Sequence, residues 1–467
     1  MKIRKSCQLL FLALLFTGLV VEAKPSLILD WNKLGYSNEK LTDSYWIKRA
    51  KKPNSILLNT KLVVNNNKRL AEIDGSVSAW QNWPDSLSAA HIADKINQLS
   101  MRPSRVLYSQ DGKKLTENEI NALLENLSPN TIKSSSKEQF GLITQRSALR
   151  AFPSDLRAFS SLGNTDIDRF QESAVFPGTP VAVLHYSADK KWLFVHSELY
   201  AAWVKADAVA LANRASVFAY TTKTPRLIIS GANVRTVFSP DMPNVSDLVL
   251  DMGTVFPLLE QWLHTQPING QGALAGNVIE LPVRDAFGML RVVPVLVPRS
   301  ADVQKDYLPV TKATIIRQSF KFLGERYGWG HDYGTRDCSG FVSEIYRSMA
   351  IILPRNTSDQ AKSPAFDREP YGIELSREQR TKRVKQLHIG DLVYVPGHVM
   401  MVIGHDAFGP WVIHDSHATG FIQNSYFYAV PTNGVAVTPL LSMAFSTDKT
   451  YIDTITAVQH IIPRHSP

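Results

Sequence analysis

The stretch "GERYGWGHDYGTRDCSGFVSEIYRSM", residues 324–349, decides how this chain is read. It holds Cys338, and the only other cysteine in the sequence is Cys7. Downstream of the thiol, Phe341, Val342, Ile345, Tyr346 and Met349 recur at helical spacing and predict a helix with one buried face. Upstream lies a Gly- and Asp-rich loop, and Asp337 or Ser339 can cap the helix start. A cysteine there meets unpaired backbone amides and the positive end of the helix dipole, which favour the thiolate. The same amides suit an oxyanion. Gly340 is expected to keep the first turn open to a substrate backbone. A small core cysteine would produce the same local pattern, so position alone leaves both readings open.

A nucleophilic thiol needs a base. His398 begins the apolar run "HVMMVIG" directly after Pro396 and Gly397, and His414 ends "WVIH". If these runs pair as a hairpin around "HDAFGP", the two histidines have the same parity and share a face. His398 as base with His414 orienting its ring is the arrangement a cysteine nucleophile requires. A metal site is the rival, because His398, His405, His414 and His417 crowd twenty residues. His414 and His417 would point to opposite faces of one strand, however, and a zinc site more often shows a second cysteine. No metal and no cofactor is expected, and His405 is read as solvated.

Working outward, "VPRSADVQKDYLP" at 297–309 reads as a linker into the last domain, and a polar Arg/Lys-rich insertion covers 364–386. From about 140 to 300 the texture is that of short strands separated by Gly and Pro turns. "ALRAFP" at 148–153 is echoed by "NVRTVF" at 233–238, and "FPGTPVAVL" at 176–184 by "DMGTVFPLL" at 251–259. Two tandem barrels are expected, with one larger β domain as the alternative. In "LTENEINALLENLSPN", Thr116 and Glu119 fit a capping box before the stripe Ile120, Leu123, Leu124 and Leu127.

The 467 residues, 44% hydrophobic and 20% charged, suit a multidomain globular protein. Lys2, Arg4 and Lys5, the apolar run "LLFLALLFTGLVV" and then "VEA" have the layout of a secretory signal, with cleavage expected after Ala23. Thirteen apolar residues fall short of the roughly 20 a bilayer core requires. Removing residues 1–23 takes three positive charges and one negative, so the formal charge falls from +9 to +7. It also removes Cys7, leaving one thiol and no possible internal disulfide. No basic cluster with interleaved aromatics argues for nucleic acid.

The ordered set "YGWG…DCSGFV…LPRNTSDQ…HIGDLVYVPGHVMMVIG…VIHDSH" resembles the NlpC family of bacterial cell-wall cysteine peptidases, over roughly the last 150 residues. The strand-rich part resembles the SH3-like domains that precede the catalytic domain in one branch of that family. The resemblance implies a multidomain chain: a signal peptide (1–23), a partly helical region (24–138), SH3-like barrels (139–215 and 216–305) and an α+β, circularly permuted papain-like catalytic domain (306–467). It implies hydrolysis of the γ-D-glutamyl–diamino acid bond in peptidoglycan stem peptides or muropeptides, in the periplasm or wall space of a bacterium. It further implies Cys338 as nucleophile, His398 as base, His414 as the orienting group and Tyr327 near the oxyanion. Asp337, Ser339 and Ser358 match positions lining the substrate pocket. In that branch the first barrel favours peptides with a free N-terminal L-alanine, for which Tyr200 or Trp203 is a candidate contact. The chain departs from the family by carrying Met400 where Gly is common. Two other classes stay open: a catalytically inactive wall-binding protein, and an acyltransferase or amidase on the same scaffold.

Overall fold

The computed structural model describes residues 29–464 apart from 85, 135–138 and 264, so the expected signal peptide lies outside the described residues. No helix among the described residues is long and apolar enough to cross a membrane.

The N-terminal region is a series of short helices that cannot bury their apolar faces alone. The Glu117–Asn126 helix starts at the expected box, where the Thr116 hydroxyl accepts from the Glu119 amide and the Glu119 carboxylate from the Thr116 amide. Its Leu123 joins Ile92 and Ile96 in a core shared with Trp192, Phe194 and Trp203 of the first β unit. Farther upstream, Trp46 is buried against Trp411 of the last domain. The region therefore clamps both of its neighbours.

The first β unit is a seven-stranded sheet running, in space, 171–175, 147–150, 201–205, 192–196, 180–186, 140–143 and 209–212. Val181, Val183, Leu193, Val195, Ala202 and Val204 fill one internal core. Leu184, Trp192, Phe194 and Trp203 instead face the N-terminal helices. Residues 226–304 then form three smaller sheets, two of two strands and one of three. Leu227, Ile229, Leu250, Phe256, Ile279 and Val295 pack into their common core.

The last domain lays the Cys338–Arg347 helix on a six-stranded antiparallel sheet. Its strand order is 367–370, 457–460, 392–395, 398–406, 409–416 and 434–439. Phe341, Val342 and Ile345 pack with Val399, Met401, Ile403, Trp411 and Ile413 on one face of the sheet. Met400, Val402 and Val412 bury the other face with Leu440, Met443 and Ile452. Each such fully buried side chain contributes roughly 1.5–3 kcal/mol, so the helix is fixed to the sheet along its length. The 364–386 insertion is more ordered than its composition suggests. It contains the Asp367–Pro370 strand and the Arg377–Val384 helix, capped by Ser376 and Gln379. That helix has almost no apolar stripe and is held by Arg380, whose guanidinium donates to the carbonyls of Gly372 and Ile455.

Candidate active site

Cys338 is the first residue of its helix, and Asp337 is the cap, its Oδ1 accepting from the Gly340 amide at 2.8 Å. The sulfur is buried and lies on a cleft of about 460 Å³. Tyr327, Asp337, Ser339 and Ser358, all singled out from sequence, border the same cleft. The Thr357 hydroxyl lies 3.6 Å from the sulfur, and the Val399 amide is near enough to act on it electrostatically. The amide sets the start of the His398–Asp406 strand beside the thiol.

The 398–406 and 409–416 strands pair as the expected hairpin, with Met401 opposite Ile413 and Val402 opposite Val412. This register keeps His398 and His414 on one face, and the bulge between Val402 and Gly404 comes only beyond them. Nε2 of His398 and Nδ1 of His414 are 2.8 Å apart. His414 Nε2 in turn lies 2.9 Å from the Thr438 hydroxyl, which donates to Sδ of Met443 at 3.2 Å. With the Thr438 hydroxyl donating to Met443, it accepts from Nε2–H of His414, whose Nδ1 then accepts from Nε2–H of His398. This tautomer pair leaves Nδ1 of His398 free to act as a base, whereas donation from Thr438 to His414 reverses the chain. No hydrogen bond joins the His398 ring to Cys338. His398 and His414 alternate with Val399, Met401 and Ile413, which pack the Cys338 helix, so both rings share the face of Met400 and Val412, and neither borders the cleft.

The electrostatics differ from the expectation that the helix start lowers the thiol. Burial, reinforced by the adjacent Asp337 carboxylate, pushes Cys338 up to about 12. Burial also lowers His398 to about 4, and burial together with His398 holds His414 well below the ordinary imidazole value. Desolvation penalises the charged form of each group. The resting pair is neutral thiol and neutral imidazole. Tyr327 is likewise raised, by burial first and Cys338 second.

Gly340 also has a different task from the one expected. A Cβ there would sit 2.3 Å from Cε1 of His331, so the glycine makes room for that ring rather than for substrate. His331 belongs to a buried chain that sequence reasoning missed. Arg355, in "LPRNTS", donates to both Asp337 oxygens (2.7 and 3.2 Å), to Ser339 Oγ (2.9 Å), to Ser173 Oγ (2.6 Å) and to Nδ1 of His331 (2.9 Å). His331 Nε2 lies 3.2 Å from Glu344. Burial raises Asp337, but Arg355 and His331 outweigh it and hold the carboxylate well below its usual range. Ser173 comes from the first β unit, so the cap of the Cys338 helix is braced across domains.

Tyr200 reaches the cleft indirectly. Its phenol donates to Glu172 at 2.6 Å, and Glu172 borders the cleft. Trp203 is barrel core, fully buried, with its indole N–H on Ser100. Met400 packs on the far face of the sheet and does not line the cleft. Asp415, also missed, is fully buried with neither carboxyl oxygen hydrogen-bonded. Burial, then Asp337 and Glu325, raises it well above the ordinary carboxyl value.

Two family models match the chain: the SH3 domain (SH3b1 type) at residues 157–205 and the NlpC/P60 family at residues 324–434. Residues 324–434 are an NlpC/P60 domain. The chain is similar over 89% of its length to 96% of a solved NlpC/P60 endopeptidase from Photobacterium damselae subsp. piscicida, with 14% identity and a TM-score of 0.70. It also aligns, at 18% identity and a TM-score of 0.47, with an NlpC/P60 family protein from Bacillus cereus, covering 69% of this chain and 100% of that one. No curated protein matches it. The first likeness extends the shared fold well beyond the NlpC/P60 domain, into the helical and strand-rich regions before it. An NlpC/P60 domain after an SH3 domain supports a multidomain cell-wall peptidase of the peptidoglycan-hydrolase type.

Proposed function

We propose that this protein is an exported cysteine peptidase that hydrolyses the γ-D-glutamyl–diamino acid bond of peptidoglycan stem peptides through a thioester on Cys338. One observation carries the reading. A helix-start thiol faces a cleft, beside the strand that begins at His398, and that histidine heads a hydrogen-bond chain through His414 to Thr438. The chain supports Nδ1 of His398 as the base, with His414 orienting the ring.

In this reading, substrate displaces water from the cleft and the thiol keeps its proton until attack. As Sγ bonds to the γ-glutamyl carbonyl carbon, Nδ1 of His398, its ring turned to the cleft when substrate binds, takes the thiol proton. The imidazolium is held through Nε2–H on His414. The tetrahedral oxyanion turns to the Cys338 and Ser339 amides, which lie in the first helical turn and have no intrahelical partner, and to the Tyr327 hydroxyl. The C–N bond then breaks, and the leaving amine carries off the proton from Nδ1. Water, deprotonated by His398, attacks the thioester; the glutamyl carboxylate leaves and the thiol regains its proton. The Glu172–Tyr200 pair supports a preference for peptides with a free N-terminal ammonium, as on L-alanine, because a carboxylate at the cleft edge favours a cation there. Asp337, Ser339 and Ser358 are assigned to substrate binding along the same wall, and export rests on the sequence layout of residues 1–23.

Product mass spectrometry on L-Ala-γ-D-Glu-diaminopimelate tests this. Wild type is expected to release L-Ala-D-Glu and the free diamino acid. Cys338→Ala should lose at least about 10³-fold in rate, as when a nucleophile is removed. An unchanged rate in that variant, or cleavage at another bond, would overturn the proposal.

A further inference from the structure

A second cavity, of about 380 Å³, lies behind the Cys338 helix where the two β units, the linker and the NlpC/P60 domain meet. That volume is within the range of about 300–1,000 Å³ usual for small-molecule sites. Its apolar walls include Trp80, Phe176 and Phe256; its polar lining includes Lys223, Arg226 and Glu344, which are paired elsewhere, and Glu198, Arg347 and Tyr307. None of the last three side chains makes a hydrogen bond, or an ion pair within 4.0 Å, among the described residues. They do feel one another's fields, Arg347 acting on both Glu198 and Tyr307. The guanidinium and the carboxylate are thus electrostatic neighbours left too far apart to pair.

The arginine is also held in position. A Cβ on Gly253, which has φ +80°, would come within 2.8 Å of Cβ and Cγ of Arg347. The glycine lets the second β unit press on the arginine stem and direct its charged end. Glu198 and Arg347 are half-buried at the cavity wall, and opposite charges with a gap between them match a ligand carrying both signs.

We propose that this cavity binds a zwitterionic amino acid or dipeptide. The ligand carboxylate takes the forked donors of Arg347, its ammonium takes Glu198, and the Tyr307 hydroxyl completes the polar end. Arg355 borders both this cavity and the cleft, so a ligand here touches the residue that anchors Asp337. The site does not depend on the chemistry of Cys338.

The test is calorimetric titration of L-alanyl-L-alanine into the full chain carrying Cys338→Ala, which removes turnover. Saturable binding is expected. It should weaken at least tenfold in Arg347→Ala and Glu198→Gln, and be partly restored in Arg347→Lys. N-acetyl-L-alanine and L-alaninamide, each lacking one charge, should bind at least tenfold more weakly. Glu172→Gln, at the catalytic cleft, should leave the affinity within twofold. The absence of saturable binding overturns the proposal. So does a loss confined to Glu172→Gln, or equal affinity for the blocked analogues. The unfolding transition of each variant, measured in parallel, should match the parent; a variant that fails this is replaced in the argument by Arg347→Lys and the two analogues.

Discussion

Two buried polar clusters sit two residues apart and are built on opposite principles. Around Arg336 every guanidinium nitrogen is paired: Glu344 at 2.8 Å, Glu325 at 2.8 Å and Asp251 at 3.0 Å, with the Ala232 carbonyl at 2.9 Å. Arg146 of the first β unit closes the group, donating to Asp251 at 2.7 Å and to the carbonyls of Gly334 and Thr335. Around Cys338 the thiol and His414 are buried and His398 is half-buried, and all three are held neutral. The contrast separates architecture from chemistry. The paired guanidinium groups of Arg336 and Arg146 weld the first β unit, the second and the NlpC/P60 domain into one frame. The groups assigned to the reaction are kept uncharged by the same dryness, so charge develops only when substrate arrives.

This comparison can be broken most forcefully at Arg336. Arg336→Ala removes the partner shared by the buried Glu344 and Asp251 and the half-buried Glu325, leaving the first two only His331 and Arg146. Removing one partner of a buried pair costs about 3–5 kcal/mol; denaturant unfolding should show that loss. A loss under about 1 kcal/mol would mean the cluster is not structural. The neutral cluster makes a prediction with a sign. His398 has a folded value of about 4, below the unfolded value of about 6.5. Between those pH values the unfolded chain binds a proton that the folded chain refuses. Wild type should therefore lose stability relative to His398→Gln as pH falls from 6.5 to 4, by at most about 3 kcal/mol. The difference should be flat above pH 7. A constant difference across the range would remove the buried neutral imidazole. The smallest effect belongs to the exposed rim, where Arg326 pairs with Asp166 at 2.5 Å. Arg326→Ala should change stability by no more than about 1 kcal/mol.

The parts visible in the sequence were those with a local signature. Helical spacing after Cys338 and equal parity of His398 and His414 needed no knowledge of distant partners, and both elements form where expected. Thr116 with Glu119 is equally local. Arg355, Glu172 and Thr438 were not legible, because their partners come from other elements of the fold: Ser173 for Arg355, Tyr200 for Glu172 and His414 for Thr438. Gly340 was misread because the ring it accommodates is folded back onto the helix start from the irregular loop before it. The Arg377–Val384 helix escaped notice because hydrogen bonds from Arg380, rather than an apolar stripe, hold it. The state of the thiol was misjudged because a helix start is a local feature, whereas the desolvation that raises the thiol comes from several segments at once.

The neutral resting pair is the claim on which the mechanism turns, and alkylation of Cys338 by iodoacetamide reads it directly. In the free protein, the account predicts slow labelling at pH 6–8 that rises only well above pH 9, slower throughout than an ordinary thiol. Rapid labelling at pH 5–6, with an inflection below pH 7, would reveal a thiolate–imidazolium ion pair and contradict it.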